Sequence, residues 1–259
     1  MNNKEYLERL FDSDKPLIIY RAKDGFDVFT DFSRRLNITT KNAKLFFNQI
    51  TKKRNSRNKF FDGYIGFLSY ELLCKLIHVK IPKQNSNGFR KNIFYKPQTL
   101  IKIRKKIQIF STLKNYRKNK ELLLSGKKFF YEKKFKVNLN LNQYSKLFKN
   151  FSKKIRQGKT YQIKICQKYR NKSNIDPVQF FWKLMKVNKS PESFMIRDEK
   201  FSIISCSPES LINKKNNIIV TKPIAGTLRK NKKTTLHMAK KFFQKNEKEN
   251  KEHNMIVDM

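Results

Sequence analysis

The chain has 259 residues, enough for one large domain or two ordinary ones, and its 38% hydrophobic content with 23 Phe argues for a folded core rather than global disorder. Lys and Arg number 60 against 20 Asp and Glu, a formal charge of +40. That excess would suit a polyanion, but lysines are scattered through every segment and no helix-turn-helix, zinc-finger or RNP pattern accompanies them, so no specific nucleic-acid partner is expected.

In chain order, MNNKEYLERLFDSDKP is charged and lacks an apolar leader, and no run of ~18 apolar residues follows anywhere, so a soluble, cytoplasmic protein without a membrane partner is expected. PLIIYRAK (16–23) reads as a strand and NAKLFFNQITKK (42–53) as a helix. YIGFLSYELLCKLI (64–77) reads as a strand running into a helix. LIKIRKKIQIF (100–110) and KKFKVNLNL (133–141) alternate like half-buried antiparallel strands, with a short helix at 113–124 between them.

LNQYSKLFKNFSKKIRQG (141–158) carries a helical apolar stripe at 144, 147, 148, 151 and 155, closed by Gly158. KTYQIKICQKYR (159–170) alternates like a strand, and VQFFWKLMKVN (178–188) reads as a helix. SFMIR (193–197) and KFSIISCS (200–207) form an antiparallel pair around Asp198-Glu199; 209–222 is a second hairpin turning at Asn216-Asn217. After PIAGTLRK comes a polar loop and one helix from about Thr234 to the end. Cys74, Cys166 and Cys206 form no CxxC pair, and neither a disulfide framework nor a zinc site is indicated. The expected class is α+β: mixed, largely antiparallel sheets with flanking helices.

The ordered stretches IRQGKTYQIKICQKYR, NKSPESFMIRDEKFSIISCSPESL, TKPIAGTLRK and KENKEHNMIVDM resemble the chorismate-utilising enzymes, in particular component I of anthranilate synthase and of aminodeoxychorismate synthase. GYIGFLSYELL (63–73) is similar to the glycine-aromatic segment of that family's amino-terminal half. The resemblance implies the amino-terminal portion of the component I fold, with 1–140 as the N-terminal region and 141–259 as the start of the chorismate-binding catalytic region. In the family V-D-L is followed by R-N-D and by well over a hundred further residues, so the resemblance also implies a fragment carrying half a site.

What the resemblance implies for single residues can be weighed against their chemistry. Glu249 and Glu252 lie three apart on one helix face. By spacing alone they describe a solvated face; with MIVD after them, Glu252 matches the metal carboxylate and Glu249 an assisting acid near the substrate carboxylate. Mg²⁺ favours such hard oxygens. His253, which follows Glu252, is expected to orient the helix or the neighbouring carboxylate.

Gln162 occupies the position where the isochorismate and salicylate synthases carry a lysine that deprotonates water. Ammonia brings its own lone pair, so a neutral amide suffices and amination is implied. Ala225 stands where typical aminodeoxychorismate synthases carry a nucleophilic lysine, which favours direct ammonia attack and the anthranilate reaction. Gly226 allows close backbone approach to a ligand and Thr227 offers a hydrogen bond to substrate.

Glu209 lies in SPES (207–210), where a structural role is expected ahead of a place in the cleft. NKSPESF and GYIGFLSYEL are closer to the aminodeoxychorismate enzymes, and tryptophan inhibition is not expected. Two products therefore stay open, anthranilate first and aminodeoxychorismate as the alternative. Ammonia is implied to come from a glutamine amidotransferase subunit. The third reading is a non-catalytic remnant or basic binding protein.

Overall fold

The computed structural model describes residues 2–51, 63–81, 92–114, 116, 128–224, 226–231 and 233–258. In chain order its elements are α1 (Asn3–Asp12), β1 (Leu17–Ala22), β2 (Gly25–Asn37), α2 (Ala43–Thr51), β3 (Ile65–Phe67), α3 (Tyr70–Leu76), β4 (Ile93–Ile103) and β5 (Ile107–Ser111). There follow β6 (Lys136–Val137), α4 (Leu141–Arg156), β7 (Tyr169–Arg170), α5 (Pro177–Val187), β8 (Glu192–Arg197), β9 (Ser202–Ser207), β10 (Ser210–Lys215), β11 (Ile218–Lys222), α6 (Leu236–Lys245) and α7 (Glu247–Asp258). The α+β class expected from the pattern is the class found. Among the described residues no helix is long and apolar enough to cross a membrane.

The chain divides into two compact units, Met1–Lys127 with Asp176–Pro208, and Lys128–Ile175 with Glu209–Met259. The first unit is built on a seven-stranded sheet of order β3-β4-β2-β1-β8-β9, with β5 also paired on β4. Every pairing in it is antiparallel. β1 is central, and its uninterrupted LII run is what a strand covered on both faces requires. Leu17 and Ile19 join Tyr6, Leu7 and Leu10 of α1 and Val178, Phe181 and Met185 of α5 on one face. Ile18 meets Phe29, Ile93, Tyr95 and Ile196 on the other. A third cluster packs Phe46 of α2 and Leu72 of α3 beside Ile38.

Two groups of buried polar side chains in this unit are tied down. Arg197 donates to the carbonyls of Leu10 (2.8 Å) and Phe11 (2.9 Å) and to that of Lys15 (2.9 and 3.1 Å), closing the end of α1. Burial lowers its pKa, opposed by the charges of Asp176, Asp14 and Asp12. At the β8–β9 turn the Asp198 carboxylate accepts from Arg35 and from the Tyr95 hydroxyl, and Lys15 pairs with Asp31 at 2.5 Å.

In the second unit β6 pairs with β7, and β10 with β11 across Asn216, whose φ of +54° makes the expected asparagine turn. Helix α4 starts on a capping box formed by Asn140 and Gln143 and ends before Gly158, whose φ of +68° is the left-handed conformation that closes a helix.

Several expectations are corrected. The run 100–110 is a hairpin: the end of β4 and β5 flank a turn at 104–106, pinned by Arg104, which pairs with Asp24 and Asp27 at 2.7 Å each. The alternation survives because each arm keeps its own period. In 133–141 only Lys136–Val137 is strand. The strand expected at 159–170 is confined to Tyr169–Arg170, with Lys168 O accepting from Asn138 N at its edge; Tyr161 to Gln167 alternate correctly but have no ladder partner among the described residues, and a strand needs one. Most of the helix expected at 113–124 lies outside the described residues.

Candidate active site

The last segment is two helices where one was expected. Thr235 caps α6, its side chain accepting from Met238 N at 3.2 Å. Asn246, at φ −86° and ψ 100°, ends α6 with its N–H on Phe242 O, and then starts α7. Its side-chain oxygen accepts from Glu249 N at 3.2 Å and its carbonyl from Asn250 N at 3.0 Å. An asparagine competes with the helix backbone in this way and turns the axis at a defined residue.

Helix α7 then presents positions 248, 251, 252 and 255 along one face, the i, i+3, i+4, i+7 spacing of a helical stripe. Lys248, Lys251, Glu252 and Met255, with Glu247, line one open cavity of about 390 Å³, and Gln162 borders it from a second segment. Gln162 and Glu252 therefore border one space of small-ligand size. The Tyr161–Lys168 segment that carries it is held by side-chain bonds in place of a ladder: Gln167 donates to Leu139 O at 3.1 Å, and Asn138 accepts from Lys168 N at 2.5 Å.

Glu249 is one position round the helix, on a different neighbour. Gly226 has φ +76°, and a Cβ added there would stand 2.7 Å from Glu249 Cδ and 3.2 Å from Phe243 Cε1. Only glycine permits that approach. The Glu249 Oε2 atom is buried and has no hydrogen-bond partner among the described residues. Such an oxygen is costly unless something meets it.

The remaining positions are placed as follows. Glu209 accepts from Ile224 N at 3.2 Å and so latches the chain ahead of Gly226. Thr227 is exposed, as is His253, and neither lines the cavity. Ala225 lies outside the described residues. Lys248 and Lys251 were not singled out from the sequence. Their membership of the i, i+3, i+4 face with Glu252 was the signal that could have found them. Lys251 also pairs with Glu247 at 2.5 Å. The cavity thus carries two cations, two carboxylates and one neutral amide: a set that can hold an anionic ligand and a hard cation together. Among the described residues, however, no group of three metal-ligating side chains comes together.

A largely antiparallel α+β frame, with a glutamine and a helical carboxylate lining one open cavity, is the setting in which comparison identifies the family. The chain belongs to the chorismate binding enzyme family, which it matches over residues 10–259. Anthranilate synthase component 1 of Archaeoglobus fulgidus is 24% identical over 93% of this chain and 51% of the relative, and that of Saccharolobus solfataricus is 28% identical over 77% and 47%. Aminodeoxychorismate synthase component 1 of Bacillus subtilis is 31% identical over 45% of this chain and 25% of the relative. The fold is that of anthranilate synthase component I from Streptococcus pneumoniae, at a TM-score of 0.63 and 20% identity, over 93% of this chain and 57% of that one. The chain spans about half the length of the curated anthranilate synthase relatives it matches from end to end.

Proposed function

We propose that this chain serves as component I of a chorismate-aminating synthase, taking chorismate and ammonia to anthranilate for tryptophan biosynthesis. The observation that carries the reading is the cavity between Gln162 and Glu252, with the Gly226 backbone set against Glu249 one position away. Residues 1–140 act as the N-terminal region and 141–259 as the beginning of the catalytic region, in a cytoplasmic enzyme that binds neither a specific nucleic acid nor a membrane.

The Gln162 amide orients ammonia, whose nitrogen lone pair attacks C2 of the chorismate ring as the C4 hydroxyl leaves. Elimination of pyruvate then gives the aromatic amine. Ammonia is released from glutamine by a partner amidotransferase. Gly226 and Thr227 are assigned to the substrate from their motif, although the cavity lining includes neither of them; Ala225 offers no nucleophile of its own. Glu252 would hold Mg²⁺, and Glu249 would serve as an assisting acid near the substrate carboxylate. When bound, the ion neutralises the substrate carboxylate. One carboxylate is too few for an ion that dehydrates reluctantly. Titration calorimetry of the chain without substrate is therefore expected to show no tight, stoichiometric Mg²⁺ binding, and a tight site would remove this assignment.

The reaction is tested by fusing the chain to the part of the Archaeoglobus fulgidus relative that it does not span, then supplying chorismate, Mg²⁺ and excess ammonium. Anthranilate is the expected product. Isochorismate or salicylate as the main product would overturn the role given to Gln162. Aminodeoxychorismate would select the second reading, that of the 4-aminobenzoate branch, which NKSPESF and the match to the Bacillus subtilis relative favour.

A further inference from the structure

Helix α7 sets out two pairs of opposite charge at the same spacing, and only one of them closes. Glu247 and Lys251, four apart, meet at 2.5 Å. Lys248 and Glu252, also four apart, form no ion pair among the described residues. Their order explains the difference. A glutamate placed before a lysine along a helix pairs better than the reverse, because the reverse sets both charges against the helix dipole. Lys248 stands in the first turn of α7, where a cation is disfavoured, and its side chain is exposed, while Glu252 is half-buried. Both are left without the internal partner that the spacing offers them.

The open pair and the closed pair line the same cavity. Its two lysines and two glutamates balance, so an ion of either sign that enters alone unbalances the wall. A divalent cation on Glu252 lies one helical turn from the uncompensated ammonium of Lys248, and an anion on Lys248 lies as near to the uncompensated carboxylate of Glu252. Entering together, the two ions restore the balance, and each removes the repulsion that the other meets. An organic carboxylate suits this place, since its two oxygens can face an ammonium and a hard cation at once. Met255, on the same stripe of the helix, adds an apolar contact for the body of such a ligand.

We propose that Lys248 and Glu252 are a split pair that takes up an organic carboxylate and a divalent cation together, with Lys248 binding the anion. Naming chorismate as that anion rests on the function proposed above; the coupling between the two ions does not. By linkage each ion raises the affinity for the other by one common factor. Water in the open cavity screens the charges, which sets the factor at the low end of such couplings, about fivefold.

The test titrates Mn²⁺, which shares the preference of Mg²⁺ for carboxylate oxygen, into the full 259-residue chain with and without excess chorismate, and follows binding by water-proton relaxation. Chorismate should lower the Mn²⁺ dissociation constant about fivefold. Lys248→Met should abolish that gain, and Lys248→Arg should keep it. Lys251→Met removes the same charge from the closed pair and should leave most of the gain in place. Equal losses in Lys248→Met and Lys251→Met overturn the inference, because net charge alone would then be the determinant. So does the absence of any gain in the parent chain, or a gain that survives Glu252→Gln, which would place the ions elsewhere. A gain that Lys248→Met alone removes supports the split pair even where the fusion described above yields no anthranilate; that result would remove the amination reading and leave the pair standing.

Discussion

The two units use the same lysine-rich alphabet and reach opposite states. In the first, three clusters of buried side chains fill both faces of a seven-stranded sheet. In the second, no described residue is buried. Amphipathic pattern is present in both. Helix α4 carries its stripe as cleanly as α5 does, yet Phe148 is 56% exposed while Phe181 is fully buried. An apolar stripe records that a surface expects a cover; burial needs the cover itself. The cavity that unites Gln162 with Glu252 is thus carried by the unit with the least burial of its own, which is where movable elements belong.

The largest expected effect separates the units directly. Phe181 is fully buried with its ring edge-on to Phe26 and 5.2 Å from Trp182. Phe181→Ala should cost about 3–5 kcal/mol. Phe148→Ala, at an exposed ring stacked on Tyr144, should cost under about 1 kcal/mol. Urea unfolding measures both. Equal losses would show that α4 is covered in solution, and the contrast between the units would fall.

How much of this was legible in the residues follows the same divide. Helices α4 and α5 were readable from period and caps, and the β8–β9 pair from alternation around Asp198-Glu199. β2 was not read as a strand: FDVFTDFSRRLN interrupts its alternation with charge, and the sheet tolerates it because Asp27 pairs with Arg104 and Arg35 with Asp198. Those partners lie far away in sequence. α1 was also missed, although Asn2 caps it through Glu5 N and Tyr6, Leu7 and Leu10 form its buried face. The end of α6 turned on one asparagine, a choice made by hydrogen bonding and not by period. In the site, motif resemblance selected Gln162, Gly226, Glu249 and Glu252; Lys248 and Lys251 emerged only once α7 was seen as a face.

Next in size is the polar anchor of the first unit. Arg197→Met would strand the carbonyls of Leu10, Phe11 and Lys15, each bonded to the guanidinium. A loss of about 3 kcal/mol is expected, with faster exchange at the C-terminal turn of α1. Exchange in α1 that stays as slow as in the parent would mean that the bonds to Arg197 do not hold that turn.

Alkaline pH should act on the first unit more gently. Burial, a hydrogen bond to Asp198 and the charge of Asp198 raise the Tyr95 pKa, with Arg35 opposing. Burial also raises Tyr6, and Tyr20, bonded to Glu192 at 2.7 Å, is pushed up to about 12. A hydroxyl whose pKa is higher folded than unfolded contributes its full stability below the unfolded value, about 10, and loses it as pH rises through the folded one. Stability of this unit should therefore fall above about pH 10, and tyrosinate absorbance should rise with unfolding rather than ahead of it. Tyr95→Phe should flatten part of that fall. An unchanged profile would detach Tyr95 from the effect.

The smallest effect tests whether the second unit holds any tightly specified contact. Gly226 and Gly158 have nearly the same backbone, φ +76° and +68°, but different surroundings. An added Cβ meets the Glu249 carboxylate at the first and nothing within 4 Å at the second. Alanine costs about 1–2 kcal/mol in this conformation at either place. The excess of Gly226→Ala over Gly158→Ala isolates the close approach to Glu249. That excess should show as faster amide exchange in the first turn of α7, while the global unfolding midpoint, set by the first unit, stays put. Adding Glu249→Ala should remove the excess, because the atom that the new methyl strikes is then gone. Equal effects of the two glycine substitutions would mean that the Glu249 side chain swings aside without cost, and that its contact with Gly226 does not shape the site.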